Sequence, residues 1–277
     1  MNIAVIFMVA FYGASMVLYF VYLIMQRDIF YNAGRLLFSG GFLSHTVLLG
    51  LLIAACGYIP AFDLSQVLLI SGWALAGVFL ALHRKLNLKF FGVFAAPLVL
   101  LAVLAALLLP EPSVTGIADL ESLAGNIWLI AHIITIFIGD AALVLAGGAG
   151  MFYLIQERAI KHKKRGFFYK RLPPLEMLDS AGYACLVLGF IMLTLGLITG
   201  IVYAGLVWGR LWAWDPKEVW SGITWLVYAA LLHERLVVGW RGRRAAIMAI
   251  IGLGILLFTF LGVNLLLEGH HGVFTKV

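Results

Sequence analysis

A single all-α membrane domain, a bundle of about eight transmembrane helices over residues 1–277, is what this sequence predicts, and three observations predict it. Of 277 residues, 64% are hydrophobic and 12% charged, with a mean hydropathy of +1.06, a balance that no water-soluble globule keeps. Apolar runs of the roughly 20 residues that cross a bilayer recur along the whole chain. Between them, basic residues gather in every second connection.

The runs cover 3–25, 38–59, 64–82, 90–109, 126–155, 177–206, 219–238 and 245–267. The first has no basic segment and no small-residue cleavage site before Gln26, so it is expected to be a retained helix and not a removable signal peptide. The connection after it carries Arg27 and Arg35, and the one after the third run carries Arg84, Lys85 and Lys89. "QERAIKHKKRGFFYKRLPP", after the fifth, holds seven basic residues, and Arg235, Arg241, Arg243 and Arg244 follow the seventh. The alternate connections are neutral or acidic. The positive-inside rule therefore puts both termini, and a tryptophan-rich loop at 206–220, outside the cytoplasm.

The net charge of +6 belongs mainly to the cytoplasmic connections, which points to the lipid bilayer and not to nucleic acid as the partner of the basic residues. Cys56 and Cys185 stand in different runs with no CxxC pair, which argues against a dithiol reductase or a cysteine metal site. No polar segment is long enough to fold alone. Glycine-rich stretches such as "LAGGAG" at 145–150 suit close helix packing.

The topology gives each histidine a depth. His45 lies about seven residues into the second run, roughly 10 Å at the helical rise, and His233 stands a similar distance from the cytoplasmic end of the seventh. His132 lies one or two turns into the fifth run from its outer end, and His271 follows the last run in "LLEGHHGVF". A single intramembrane histidine is commonly satisfied by a backbone or hydroxyl partner. Paired imidazoles can instead bind a metal, clamp haem iron from both sides or relay protons, and spacing does not separate these. His83, His162 and His270 read as solvated or interfacial.

The stretch "WGRLWAWDPKEVW", Trp208 to Trp220, packs four tryptophans and four charges into thirteen residues. An aromatic belt at the bilayer edge explains one or two of them. The cluster of Trp208, Trp212, Trp214 and Trp220 also offers an apolar platform for a large planar ligand. Asp215 followed by Pro216 reads as a helix cap and first helical position, with Glu218 placed to favour the dipole.

These residues carry a resemblance. The segment from Leu172 to Phe274, with "WDPKEVW" at its centre, closely resembles the CcsA/ResC family of system II cytochrome c maturation, whose signature is the tryptophan-rich WWD loop. The N-terminal half resembles it more weakly, through "GFLSHTVLLGLL" around His45 and "WLIAHIITIF" around His132. The resemblance implies a haem-handling subunit of a cytochrome c synthase complex, which exports and presents haem b for covalent attachment to apocytochrome c bearing CxxCH. It implies His45 and His233 as transmembrane haem-iron ligands. His132 and His271 would be the external pair, beside Trp208, Trp212, Trp214, Asp215 and Trp220. No catalytic nucleophile is expected, since the apocytochrome brings the thiols. A ResB/CcsB-type partner, an external thiol reductant, and a bacterial inner membrane or equivalent energy-transducing membrane are implied as well.

Two alternatives stand beside this reading. One is a haem-delivery module that leaves ligation to another subunit. The other is a proton-coupled transporter using Asp140 with the paired histidines. Asp140, where family members tend to carry an aromatic residue, could be a proton-active group, a hydrogen-bond partner of the sixth helix or a residue facing a water-filled cavity, the second being preferred.

Overall fold

The computed structural model describes residues 2–61, 63–86, 89–109, 126–162, 166–167 and 169–263. Among them lie eight α-helices: α1 Asn2–Met25, α2 Asp28–Cys56, α3 Leu64–Leu86, α4 Gly92–Leu108, α5 Ile127–Lys161, α6 Leu175–Trp208, α7 Pro216–His233 and α8 Arg243–Leu257. Seven are long and apolar enough to cross a membrane once α4 is extended back to Lys89 and α8 on to Gly262. The eighth, α7, has 18 residues, carries Lys217 and Glu218 just after Pro216, and continues as a π-helical turn over Glu234–Val238.

The helices fall into two groups of four. α1 packs on α2 and α4, and α3 packs on α4 and α2; α5 packs on α6 and α8, and α7 packs on α6 and α8. Contact between α3 and α5 joins the groups, and the α5–α6 pair is the most extensive. The first group encloses Tyr12, Tyr19, Phe38, Phe79 and Phe91, and the second Leu143, Leu145, Leu178, Tyr228 and Leu231. The α5–α8 contact depends on missing side chains in "LAGGAG". A Cβ on Gly150 would stand 2.7 Å from the Ala246 carbonyl oxygen, and one on Gly147 would stand 2.7 Å from Leu253. Dispersion and close backbone approach are the forces available to helices in lipid, where burial of apolar surface gains little.

Helix ends are closed locally. Gln26, with φ +54, donates its own N–H and its side-chain amide to the Tyr22 carbonyl at the end of α1, the amide reaching Leu23 as well. Arg171 donates to Ile24 at 2.9 Å. The terminal carbonyls of α1 are thereby satisfied where the chain leaves the apolar layer. Asn126 caps α5 by accepting from Trp128 N–H at 2.9 Å.

Several helices outrun their apolar runs. α2 starts at Asp28, ten residues ahead of position 38, and α5 continues to Lys161. Helical hydrogen bonds close within the segment whatever the side chains, and Asp28 suits the first turn of α2, where it also meets Lys89 at 3.0 Å.

Candidate functional site

Where α3, α5 and α7 begin and α6 and α8 end, the bundle opens into a cavity of about 260 Å³. This end lies opposite the basic connections. Ile133, Ile136, Phe137, Leu193, Leu197 and Phe260 make its walls apolar, Trp208 and Trp212 bring the tryptophan loop to it, and His132 projects from α5. That combination of apolar and aromatic walls with few polar groups is the usual character of a site for a large organic ligand.

His132 is held in a defined state. Its Nδ1 lies 2.7 Å from the Gly196 carbonyl oxygen on α6, and because a carbonyl accepts, Nδ1 carries the proton. Nε2 is then the lone-pair nitrogen, the form in which an imidazole ligates iron, with its orientation fixed by the outer hydrogen bond. The residues present thus fit haem: an oriented imidazole, an aromatic wall and an apolar enclosure.

The loop is built by its polar residues. Gly209 ends α6 with φ +67. Asp215 caps α7 by accepting from Lys217 N–H at 3.3 Å, with Pro216 at the first helical position, and Glu218 accepts from Ala213 N–H at 2.8 Å, bracing the strand of loop before the cap. The tryptophans divide. Trp208 meets Tyr203 edge-on with centroids 6.0 Å apart. Trp212 meets Trp214 edge-on at 6.1 Å, but Trp214 itself is 78% exposed. Trp220 packs on Phe258 at 4.5 Å, and Trp225, not among the candidate residues, stacks on Phe190 while donating to Thr194 at 2.9 Å. Of the residues singled out, His132, Trp208 and Trp212 line the cavity; Asp215 shapes the loop from a buried position, and Trp214 and Trp220 face elsewhere.

The transmembrane pair is not brought together. His45 is fully buried, with Nδ1 3.4 Å from Tyr12 Oη and Cε1 3.6 Å from where a Cβ on Gly72 would stand, so α1 and α3 enclose it. His233 is exposed at the end of α7. α2 also starts early, so that His45 lies seventeen residues into its helix from Asp28, whereas His233 is the last residue of α7. His270 and His271 lie outside the described residues.

Residues that sequence reading left out also reach the cavity, including Tyr203, Lys217, Ser221, Thr224 and Thr259. Asp140 lines it too, and no hydrogen bond to α6 is present among the described residues; the structure thus favours the cavity-facing alternative over the preferred one. Lys217 precedes the apolar run that starts at Val219. Burial lowers its ammonium below the usual lysine value, and the nearby Asp215 opposes that shift. A cation between Trp214 and Trp220 was the available signal for Lys217. Thr224 and Thr259, which meet at 2.8 Å across α7 and the turn after α8, carried none.

Comparison with known proteins gives a consistent picture. Residues 61–271 match the family model described as cytochrome C assembly protein. The chain is 33% identical over 242 residues to a cytochrome c biogenesis protein CcsA of Guillardia theta, covering 82% of this chain and 80% of that one. It is 35% identical over 239 residues to a protein of the same name from Prochlorococcus marinus, covering 78% and 75%. Among solved structures, cytochrome c heme lyase CcmF superposes with a TM-score of 0.65 at 19% identity over 94% of this chain. The match spans about half of that larger protein, 46%, and indicates a shared fold.

Proposed function

Because the chain belongs to the cytochrome c assembly family of integral membrane proteins, we propose that it holds haem in the aromatic cavity and presents it for attachment to apocytochrome c. Its role in cytochrome c maturation follows from the family. The carrying observation is His132, whose tautomer is set by the Gly196 carbonyl and whose ring stands at a cavity walled by Trp208 and Trp212.

In this reading haem b is cargo. The cargo supplies the vinyl groups to which the thiols of CxxCH add, and the chain supplies orientation. His132 holds iron from one side with His271 as its counterpart, the tryptophans exclude water from the ring, and Asp215 and Glu218 keep the loop in place. His233 belongs to an earlier, cytoplasmic-side position on the haem route. His45 is closed in by Tyr12 and α3, with its Nε2 buried and without a hydrogen-bond partner among the described residues, and the role assigned to it in this scheme is packing. A ResB/CcsB-type partner, an external reductant for the apocytochrome thiols, an energy-transducing membrane and an outward-facing loop complete the scheme.

The test is the visible spectrum of the purified chain, oxidised and reduced. A Soret band with bis-imidazole α and β bands, lost in His132→Ala, is expected. A colourless chain that also fails to take up added haem would overturn the reading. Reconstitution with its partner and an apocytochrome then separates synthase from delivery module: thioether formation marks the first, and bound haem with an unmodified apocytochrome marks the second.

A further inference from the structure

The cavity that receives the planar ligand is apolar over most of its wall, yet Lys217 reaches it from the first turn of α7. Among the described residues its potential counter-ions are occupied or distant. The Asp215 carboxylate is buried and accepts from the Lys217 backbone N–H, and Glu218 is engaged with Ala213 N–H. Among the described residues no carboxylate lies within 4.0 Å of the Lys217 ammonium, and Asp215 acts on it through space. Asp140 also lines the cavity, but it stands eight residues beyond His132 on α5, about 12 Å deeper along the helix. A lysine half-buried at an apolar wall, without an ion pair among the described residues, is costly unless something else completes it.

We propose that Lys217 is completed by the cargo itself, pairing with the anionic carboxylate edge of the planar ring and so setting which edge faces the tryptophan loop. The inference rests on the haem reading above and adds a specificity-determining residue to it. A metalloporphyrin with an imidazole on its iron can still turn about the iron–nitrogen axis, so axial ligation alone does not fix its edges. One cation at the loop side breaks that symmetry: the carboxylate edge is drawn toward Lys217, while the neighbouring Glu218 keeps its carboxylate on the Ala213 N–H. Charge-assisted pairing away from bulk water is strong enough to decide between orientations.

The experiment compares ferric haem with its dimethyl ester, which keeps the ring and iron but lacks both anionic charges. Each is titrated into the full chain in detergent, in the unmodified protein and in Lys217→Met and Lys217→Arg, with the Soret shift as readout. The unmodified protein is expected to bind the free acid about tenfold more tightly than the ester. Lys217→Met is expected to bind both at the level of the ester, and Lys217→Arg to keep the preference. Undiminished discrimination in Lys217→Met would overturn the proposal, as would a Lys217→Met variant that weakens both ligands equally, which marks a structural role in the loop. Failure of the underlying reading looks different: the unmodified protein would give no Soret shift with either ligand.

Discussion

Gly200 faces His132 across the α5–α6 contact so closely that a Cβ on it would lie 2.7 Å from His132 Nδ1 and 2.8 Å from Cε1. The glycine therefore makes room for the imidazole that reaches Gly196, one helical turn away on the same helix. Gly200→Ala is expected to push the ring off that carbonyl and lower haem affinity about tenfold, since ligand geometry tolerates little displacement. Gly254→Ala, with no atom within 4 Å of its Cβ, is the matched control and should leave the titration unchanged.

At the opposite end, Arg235 and Asp179 pair at 2.6 Å with side-chain exposures of 10% and 15%, and Asp179 also accepts from Gly242 N–H at 2.9 Å. This clasp ties the π-helical turn after His233 to the N-terminal part of α6. Removing one partner strands the other, so Asp179→Asn or Arg235→Ala should cost about 3 kcal/mol, read as a fall in Tm in detergent. The double variant Asp179→Leu/Arg235→Met should recover most of that loss.

The two transmembrane histidines should separate by phenotype. His45→Ala empties a fully buried site and leaves Tyr12 without its partner, costing about 2–3 kcal/mol and lowering Tm. His233→Ala alters an exposed side chain and should leave Tm unchanged while reducing the haem that reaches the cavity. A Tm unaffected by His45→Ala would contradict the packing role.

The preference for haem over its dimethyl ester should depend on pH with a defined sign. Burial lowers the free Lys217 ammonium below its ordinary value of 10.5, and pairing with a carboxylate raises it on binding. The preference is then full below the free value and declines as pH rises from there toward the bound value. The decline should begin at a lower pH than for an exposed lysine, and Lys217→Arg should abolish it, because arginine stays charged.

Much of this architecture was readable because it is local. Hydropathy located all eight helices, and the pattern Asp215-Pro216 foretold a cap that the structure contains. Depth was less legible, because a helix continues past its apolar run wherever polar residues tolerate it. Polar residues such as Asp28 and Arg35 are carried in α2 nearly three turns ahead of the apolar run, so distance from the helix end does not report the depth of His45. The composition of the cavity was the least legible part. Asp140, Lys217, Thr224 and Thr259 come from α5, α7 and the turn after α8, and interhelical register decides which of them meet. The small-residue contacts of Gly147, Gly150, Gly196 and Gly200 set that register. Their identity is visible in the sequence; their partners are not.

Trp214 keeps a left-handed backbone, φ +57, while its ring stands 78% in the open. That conformation costs a non-glycine residue about 1 kcal/mol, and an indole turned outward recovers little of it by burial. A laboratory selection for heat resistance alone would therefore replace Trp214 early, with glycine or asparagine. Retention of the ring when function is selected as well would mark Trp214 as a residue kept for what approaches the loop from outside.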